Sequence, residues 1–250
     1  MIDFSFNGEK KEWLRVLSGE SRPAVPEVQR FLLSIPNTHG YRVGRKTFGV
    51  RTLNVPIVLF FDGFNDLQKK KEELARWLVH REAKELVFSD ERDRVYLARY
   101  SSGLVNFEEF ASYALGNITF TCHDPFKYAV APTIQRFTPV QINNVNNGVM
   151  NHGEEVACIL RVEFRANRNN YQIRHLPSNR LLRVNWSFIN GDVLEFDTLR
   201  RVVLINGHVR MGALDLSSRF FTLVSGMNRF TSDTGNPIIA IEIEHRARWL

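Results

Sequence analysis

A period of two runs through most of this chain, and a helical period occupies one stretch. Between Asn65 and His80, the apolar residues Leu67, Leu74, Trp77 and Leu78 recur at helical spacing. Asn65 stands where an N-cap would, with Gln68 three residues on, the pattern of a capping box. Lys69, Lys70 and Lys71 fall in the first turns of this helix, where the dipole disfavours cations. They read as a solvated face rather than a phosphate-binding patch.

Elsewhere strands dominate. Phe4-Ser5-Phe6 ends in an Asn-Gly turn, a short-range hairpin signal. Residues 21–40 look irregular, punctuated by Pro23, Pro26 and Pro36, with Pro36 to Gly40 a loop. Tyr41 to Phe61 reads as one long β excursion, and Pro56 argues against a central place for that part of it. Leu86–Phe88 and Val95–Tyr100 flank a polar loop as a hairpin. From Asn117 to Cys122 the alternation is unbroken, with Ile118, Phe120 and Cys122 on one face, so the strand is half buried and Cys122 belongs to the core.

Residues 132–153 gather Pro132, Pro139, Gly148, Gly153 and five asparagines, the composition of a linker. The expected organisation is therefore a first domain over 1–131, a linker over 132–153 and a second domain over 154–250. In the second domain, Val156, Cys158, Leu160, Val162 and Phe164 share one strand face. Residues 191–197 and 201–207 form a hairpin between two Asn-Gly turns, and Ile239, Ile241 and Ile243 alternate with Ala240, Glu242 and Glu244. Strands at this spacing without helices predict an antiparallel sandwich. Whether Trp249 and Leu250 pack there or return to the first domain is left open by the sequence. The fold class is mainly β, with one helix.

Composition narrows the chemistry. The chain has 250 residues, 44% apolar and 24% charged, and a net charge of +6 without a basic stripe. Its eight lysines all lie at or before Lys127, after which the cations are arginines, in keeping with two modules. Cys122 and Cys158 form no CxxC pair, and a disulfide framework is not expected. No signal peptide or membrane-spanning run is visible. The seven histidines show no metal-ligand spacing, and there is no GxSxG, GxxxxGK[ST] or GxGxxG. The doublets Glu72-Glu73, Glu108-Glu109 and Glu154-Glu155 do not supply a glycosidase pair, because neighbouring strand residues point to opposite faces. His123-Asp124-Pro125 after a strand reads as a turn rather than a catalytic element. No catalytic, metal or cofactor site is expected, and no enzymatic activity.

Several pieces in this order resemble the distal tail proteins of long-tailed phages. They are Phe4 to Gly8, Arg22-Pro23, Ile35-Pro36 to Gly40-Tyr41, Arg51 to Pro56, Phe88-Ser89-Asp90 with Tyr96 to Tyr100, and Phe120 to Tyr128. One departure stands out: Asn37-Thr38-His39-Gly40 occupies the place of the family's Gly-Arg-Asp-Gly. The second half resembles the family's galectin-like or carbohydrate-binding-module-like sandwich.

The resemblance implies a tail-tube-like, ring-forming first domain and a structural role at the virion tail tip. Six copies, in one ring or two rings back to back, would join the tail tube protein to a tail-associated tip protein and a receptor-binding protein. DNA would meet the protein only in transit through the channel, and assembly would take place in the host cytoplasm. It also places an inter-subunit belt on the excursion, with Tyr41, Arg42, Arg45, Lys46, Phe48 and Arg51 as interface candidates. The alternative is a carbohydrate-binding protein that attaches to wall polysaccharide, for which Trp186, Phe188, Phe220, Phe221 and Phe230 are the available rings.

Overall fold

The computed structural model describes residues 2–19, 21–103, 108–144, 146–233 and 238–250, with only the backbone at 238–239. The chain divides into two compact units, one comprising residues 1–130 with Leu250 and the other residues 131–249.

The first unit runs through β1 (Phe4–Phe6), β2 (Leu14–Val16), β3 (Val28–Ser34), β4 (Tyr41–Phe48) and β5 (Arg51–Phe60). It continues with α1 (Gly63–Leu78), β6 (Lys84–Phe88), β7 (Arg94–Gly103), β8 (Glu108–Glu109), β9 (Tyr113–Cys122) and β10 (Lys127–Ala129). Its main sheet has the order β1-β6-β7-β9-β5-β2. The alternation expected for 117–122 is present: Ile118, Phe120 and Cys122 are buried and Asn117 is exposed. The Asn7-Gly8 turn has positive φ at both residues, 53° and 78°, as a tight hairpin turn requires.

The helix cap lies three residues earlier than expected. Asp62 occupies the cap without a side-chain bond, and the carboxylate of Asp66 instead accepts the Asp62 N–H at 2.9 Å. The Asn65–Gln68 capping box is therefore not formed. Leu67, Leu74, Trp77 and Leu78 face the core as the period requires. The indole N–H of Trp77 donates to the Phe6 carbonyl at 3.0 Å, and Phe4 stacks on Trp77 at 5.5 Å between centroids. The rings of Phe4, Phe6, Trp77, Phe88 and Phe120 form one packed cluster.

Pro56 lies in a strand with neighbours on both sides, contrary to expectation. Its carbonyl accepts the Leu17 N–H on the β2 side, and the ladder with β2 stops at Val16 opposite Ile57. The missing N–H faces the same side, where no strand bond is called for. The single excursion expected over 41–61 is two strands, parted at Gly49-Val50. The supposedly irregular residues 28–34 supply a third strand, which pairs with β4.

The second unit contains β11 (Thr133–Phe137), a one-turn helix α2 (Pro139–Ile142), β12 (Val149–Asn151), β13 (Cys158–Phe164), β14 (Arg168–His175) and β15 (Arg180–Phe188). It continues with β16 (Val193–Asp197), β17 (Val202–Ile205), β18 (His208–Val209), β19 (Gly226–Asn228), β20 (Phe230–Ser232) and β21 (Ile238–His245). A sheet of order β11-β21-β13-β16-β17-β18 and a sheet of order β15-β14-β20 enclose the core, a sandwich. Cys158, Leu160, Val162 and Phe164 are buried in strict alternation. Ile241 and Ile243 are buried opposite the half-exposed Glu242 and Glu244, while the Ile239 side chain lies outside the described residues.

Residues 132–153 do not form a free linker. Thr133 to Phe137 pair with Ile241 to His245, and Ile142 and Val149 are buried in the second core. Thr138 and Gln141 cap each other in a capping box, so the polar composition of this stretch serves local turns.

Candidate functional site

β3 and β4 form a sheet of their own, two strands wide. Every residue of β3 is exposed, and so is every residue of β4 except the half-buried Phe48. Many of the exposed side chains are apolar. Phe31 is 66% exposed, Leu32 53%, Tyr41 68% and Val43 64%. The register pairs Leu32 with Val43 and Ser34 with Tyr41, so these four share one face of the hairpin. Leu33 pairs with Arg42 on the other face.

Between Arg30 and Leu32 the register shifts by one residue. A side chain at Gly44 would press on Phe31 there, 3.1 Å from its ring and its carbonyl, which is why the bulge takes a glycine. The hairpin is also one-sided in charge. Arg30, Arg42, Arg45 and Lys46 lie between Val28 and Phe48, and that segment contains no Asp or Glu.

The root of the hairpin is fixed to the unit. Gly49 N–H donates to the Glu27 carbonyl at 2.8 Å, and Phe48 meets Phe126 edge-on at 6.0 Å. Lys46 lies over the Phe48 ring at 4.8 Å. The tip turns through Asn37 and Gly40, both with positive φ, and Thr38 bonds back to the Ile35 carbonyl through both its N–H and its hydroxyl.

Of the six interface candidates, Tyr41, Arg42, Arg45 and Lys46 lie exposed on β4, with Phe48 at its root. Arg51 does not share that surface. It is 1% exposed, with its guanidinium 5.9 Å from the Tyr96 ring and a long 3.5 Å contact to the Ala24 carbonyl. Its place in the alternation of β5 turns it into the unit. Sequence reading missed the β3 half of the hairpin, with Phe31, Leu32 and Leu33. The apolar trio stands between the prolines that made the stretch look irregular.

Motif pieces far apart in sequence meet in the first unit. Arg22 makes two hydrogen bonds to Asp90, and its guanidinium lies 4.5 Å from the Phe88 ring. The hydrogen bonds from Arg22 hold the Asp90 carboxyl below its usual range. Asp3 N–H donates to Ser89 Oγ at 2.9 Å. In the turn after β9, Asp124 accepts the Phe126 N–H at 3.2 Å and the Tyr128 hydroxyl at 2.6 Å. Its neighbour His123 is exposed. Burial pushes the Cys122 and Cys158 thiols up to about 12. Among the described residues, no three His, Cys, Asp or Glu side chains gather as a metal site would require.

Comparison with known proteins follows this division of the chain. Residues 9–122 match the phage tail protein RIFT-related domain, and residues 153–249 match the siphovirus-type tail component, C-terminal domain. The distal tail protein of Bacillus phage SPP1 is 26% identical over 208 residues, covering 80% of this chain and 79% of that protein. The chain belongs to the distal tail protein family of siphoviruses. The fold agrees. The crystal structure of the SPP1 distal tail protein superposes with a TM-score of 0.83, at 20% identity and over 100% of both chains. That protein is described as a hub of the adsorption apparatus in phages infecting Gram-positive bacteria. In this family member, the motif pieces Phe4, Phe6, Phe88 and Phe120 are core residues of the first unit, so they mark its scaffold rather than a reactive centre.

Proposed function

We propose that this distal tail protein is a non-catalytic hub that closes into a six-membered ring at the tail tip through its β3–β4 hairpin. The observation that carries the reading is the hairpin itself. A two-stranded ribbon is marginal in water, and this one exposes apolar side chains on both faces along with unpaired strand edges. Such a ribbon is stable and soluble when a partner covers it. A second copy meets that need without a second gene product. A hairpin docking on a different surface of the next copy is a heterologous contact, which closes into a ring when the rotation permits.

The cations and the absence of acids assign the receiving surface an acidic character. The ring would leave a channel through which DNA passes. The outer surfaces would meet the tail tube protein on one side and the tip protein and receptor-binding protein on the other. Membership in a tail-component family supports the location, and that family's relatives are tail proteins rather than enzymes.

The test is a photo-crosslinking residue placed at position 41. Illumination of the purified protein should produce a ladder of covalent dimers up to hexamers, suppressed by high salt. A product confined to the monomer at micromolar concentration would overturn the proposal.

A further inference from the structure

We propose that the second unit carries a binding groove for a neutral saccharide, built around Trp186 at a bulge between β14 and β15. Along β15, Leu182, Val184 and Phe188 are buried, and simple alternation would bury Trp186 with them. Trp186 is instead 37% exposed. The cause is a register shift: Asn169 pairs with Ser187 but Tyr171 with Val184, so Asn170 faces both Asn185 and Trp186. Asn170 sits in the left-handed region at φ 61°, and the bulge turns the indole outward. Of the five rings named from the sequence, Phe188, Phe221 and Phe230 are core and Phe220 packs half-buried against it, which leaves Trp186 as the exposed platform.

A shallow groove of about 600 Å³ opens there, lined by Asn169, Asn170, Asn185, Trp186 and Ser187. Its size is that of a small-ligand site. Asn185 is oriented by donating to Asp215 at 3.0 Å, which leaves its carbonyl oxygen as an acceptor. Asp215 is itself tied to the Ser217 hydroxyl and N–H. The Asn169 and Asn170 amides make no hydrogen bond to other described residues and can donate and accept together. The Arg210 guanidinium lies 5.8 Å from the indole centroid and holds the ring by cation–π attraction.

A flat aromatic face bordered by amides and a hydroxyl, with no charge among the lining residues, fits one chemistry. A pyranose presents C–H bonds to the ring's negative face and hydroxyls to the amides. A phosphate-bearing ligand would need cations in the lining, and the nearby Arg210 stands over the indole ring rather than among the lining residues. The groove lies within the second unit and stands independently of ring assembly.

The experiment is saturation-transfer NMR on the full chain with methyl glycosides of glucose, galactose, rhamnose and N-acetylglucosamine at about 10 mM, suited to millimolar binding. Adenosine monophosphate runs alongside. At least one glycoside should take up saturation, most strongly at its ring C–H protons. Trp186→Ala should reduce the signal about tenfold, and Trp186→Phe should keep part of it. A thermal melt of each variant confirms folding. The proposal is overturned if no glycoside responds, if a glycoside signal survives Trp186→Ala in a folded protein, or if adenosine monophosphate alone responds.

Discussion

Replacing Leu32 and Val43 by serine together probes the hairpin where the structure makes it most apolar. The two are cross-strand partners and more than half exposed, so the change leaves the core untouched. Full burial of a Leu or Val side chain contributes about 1.5–3 kcal/mol. Scaled to the surface still open to a partner, each residue contributes about 1–1.5 kcal/mol on docking. The pair therefore costs about 2–3 kcal/mol per contact, or roughly 30- to 150-fold in its dissociation constant. Light scattering across a concentration series measures the effect as a shift of the assembly midpoint to higher protein concentration. The stability of the isolated chain should move by less than about 1 kcal/mol, because neither side chain is buried. Assembly at the same concentration as the parent, with the fold intact, would refute the reasoning.

Other expectations follow from the units separately. Cys122 and Cys158, both buried with thiols pushed up to about 12, should resist alkylation at pH 8 in the folded protein and react once denaturant unfolds it. Burial lowers His175 and His245 below their ordinary 6.5, so the unfolded chain binds more protons just below that value. Stability should be fully present above about pH 6.5 and fall as the pH drops below it, and His175→Gln should flatten part of the slope in thermal melts. Gly103 has φ +103°, and a Cβ there would run into the Asn117 carbonyl of the neighbouring strand. Gly103→Ala should therefore cost at least about 2 kcal/mol in denaturant unfolding, against a smaller loss of about 1 kcal/mol or less for Gly8→Asn, where φ is also positive but the turn is open.

Where one strand face is dry and the other wet, residues announce their state. The runs 117–122 and 158–164 did so, as did the Asn-Gly turns at 7–8 and 206–207, which show the positive φ they promised. β3 was hidden for the converse reason. All its residues are exposed within the chain, so Gln29-Arg30-Phe31-Leu32-Leu33 shows no inside and no outside. Asparagines masked the anchoring of 132–153, where Ile142 and Val149 are buried among them and Asn151 is itself buried. Arg51 reads as a surface cation by its charge, although it shares the inward parity of Leu53 and Val55; what the sequence does not show is the distant Tyr96 ring that it meets. Trp186 sits at inward parity, and only the bulge opposite Asn170 turns it out.

The central claim is that copies of this chain close on one another through the hairpin. The most direct measurement is the native mass of the purified protein by light scattering behind size exclusion, with negative-stain images of the same peak. The account predicts six or twelve copies, seen as rings with a central hole. A monomer at every concentration, with no rings in the images, would contradict it.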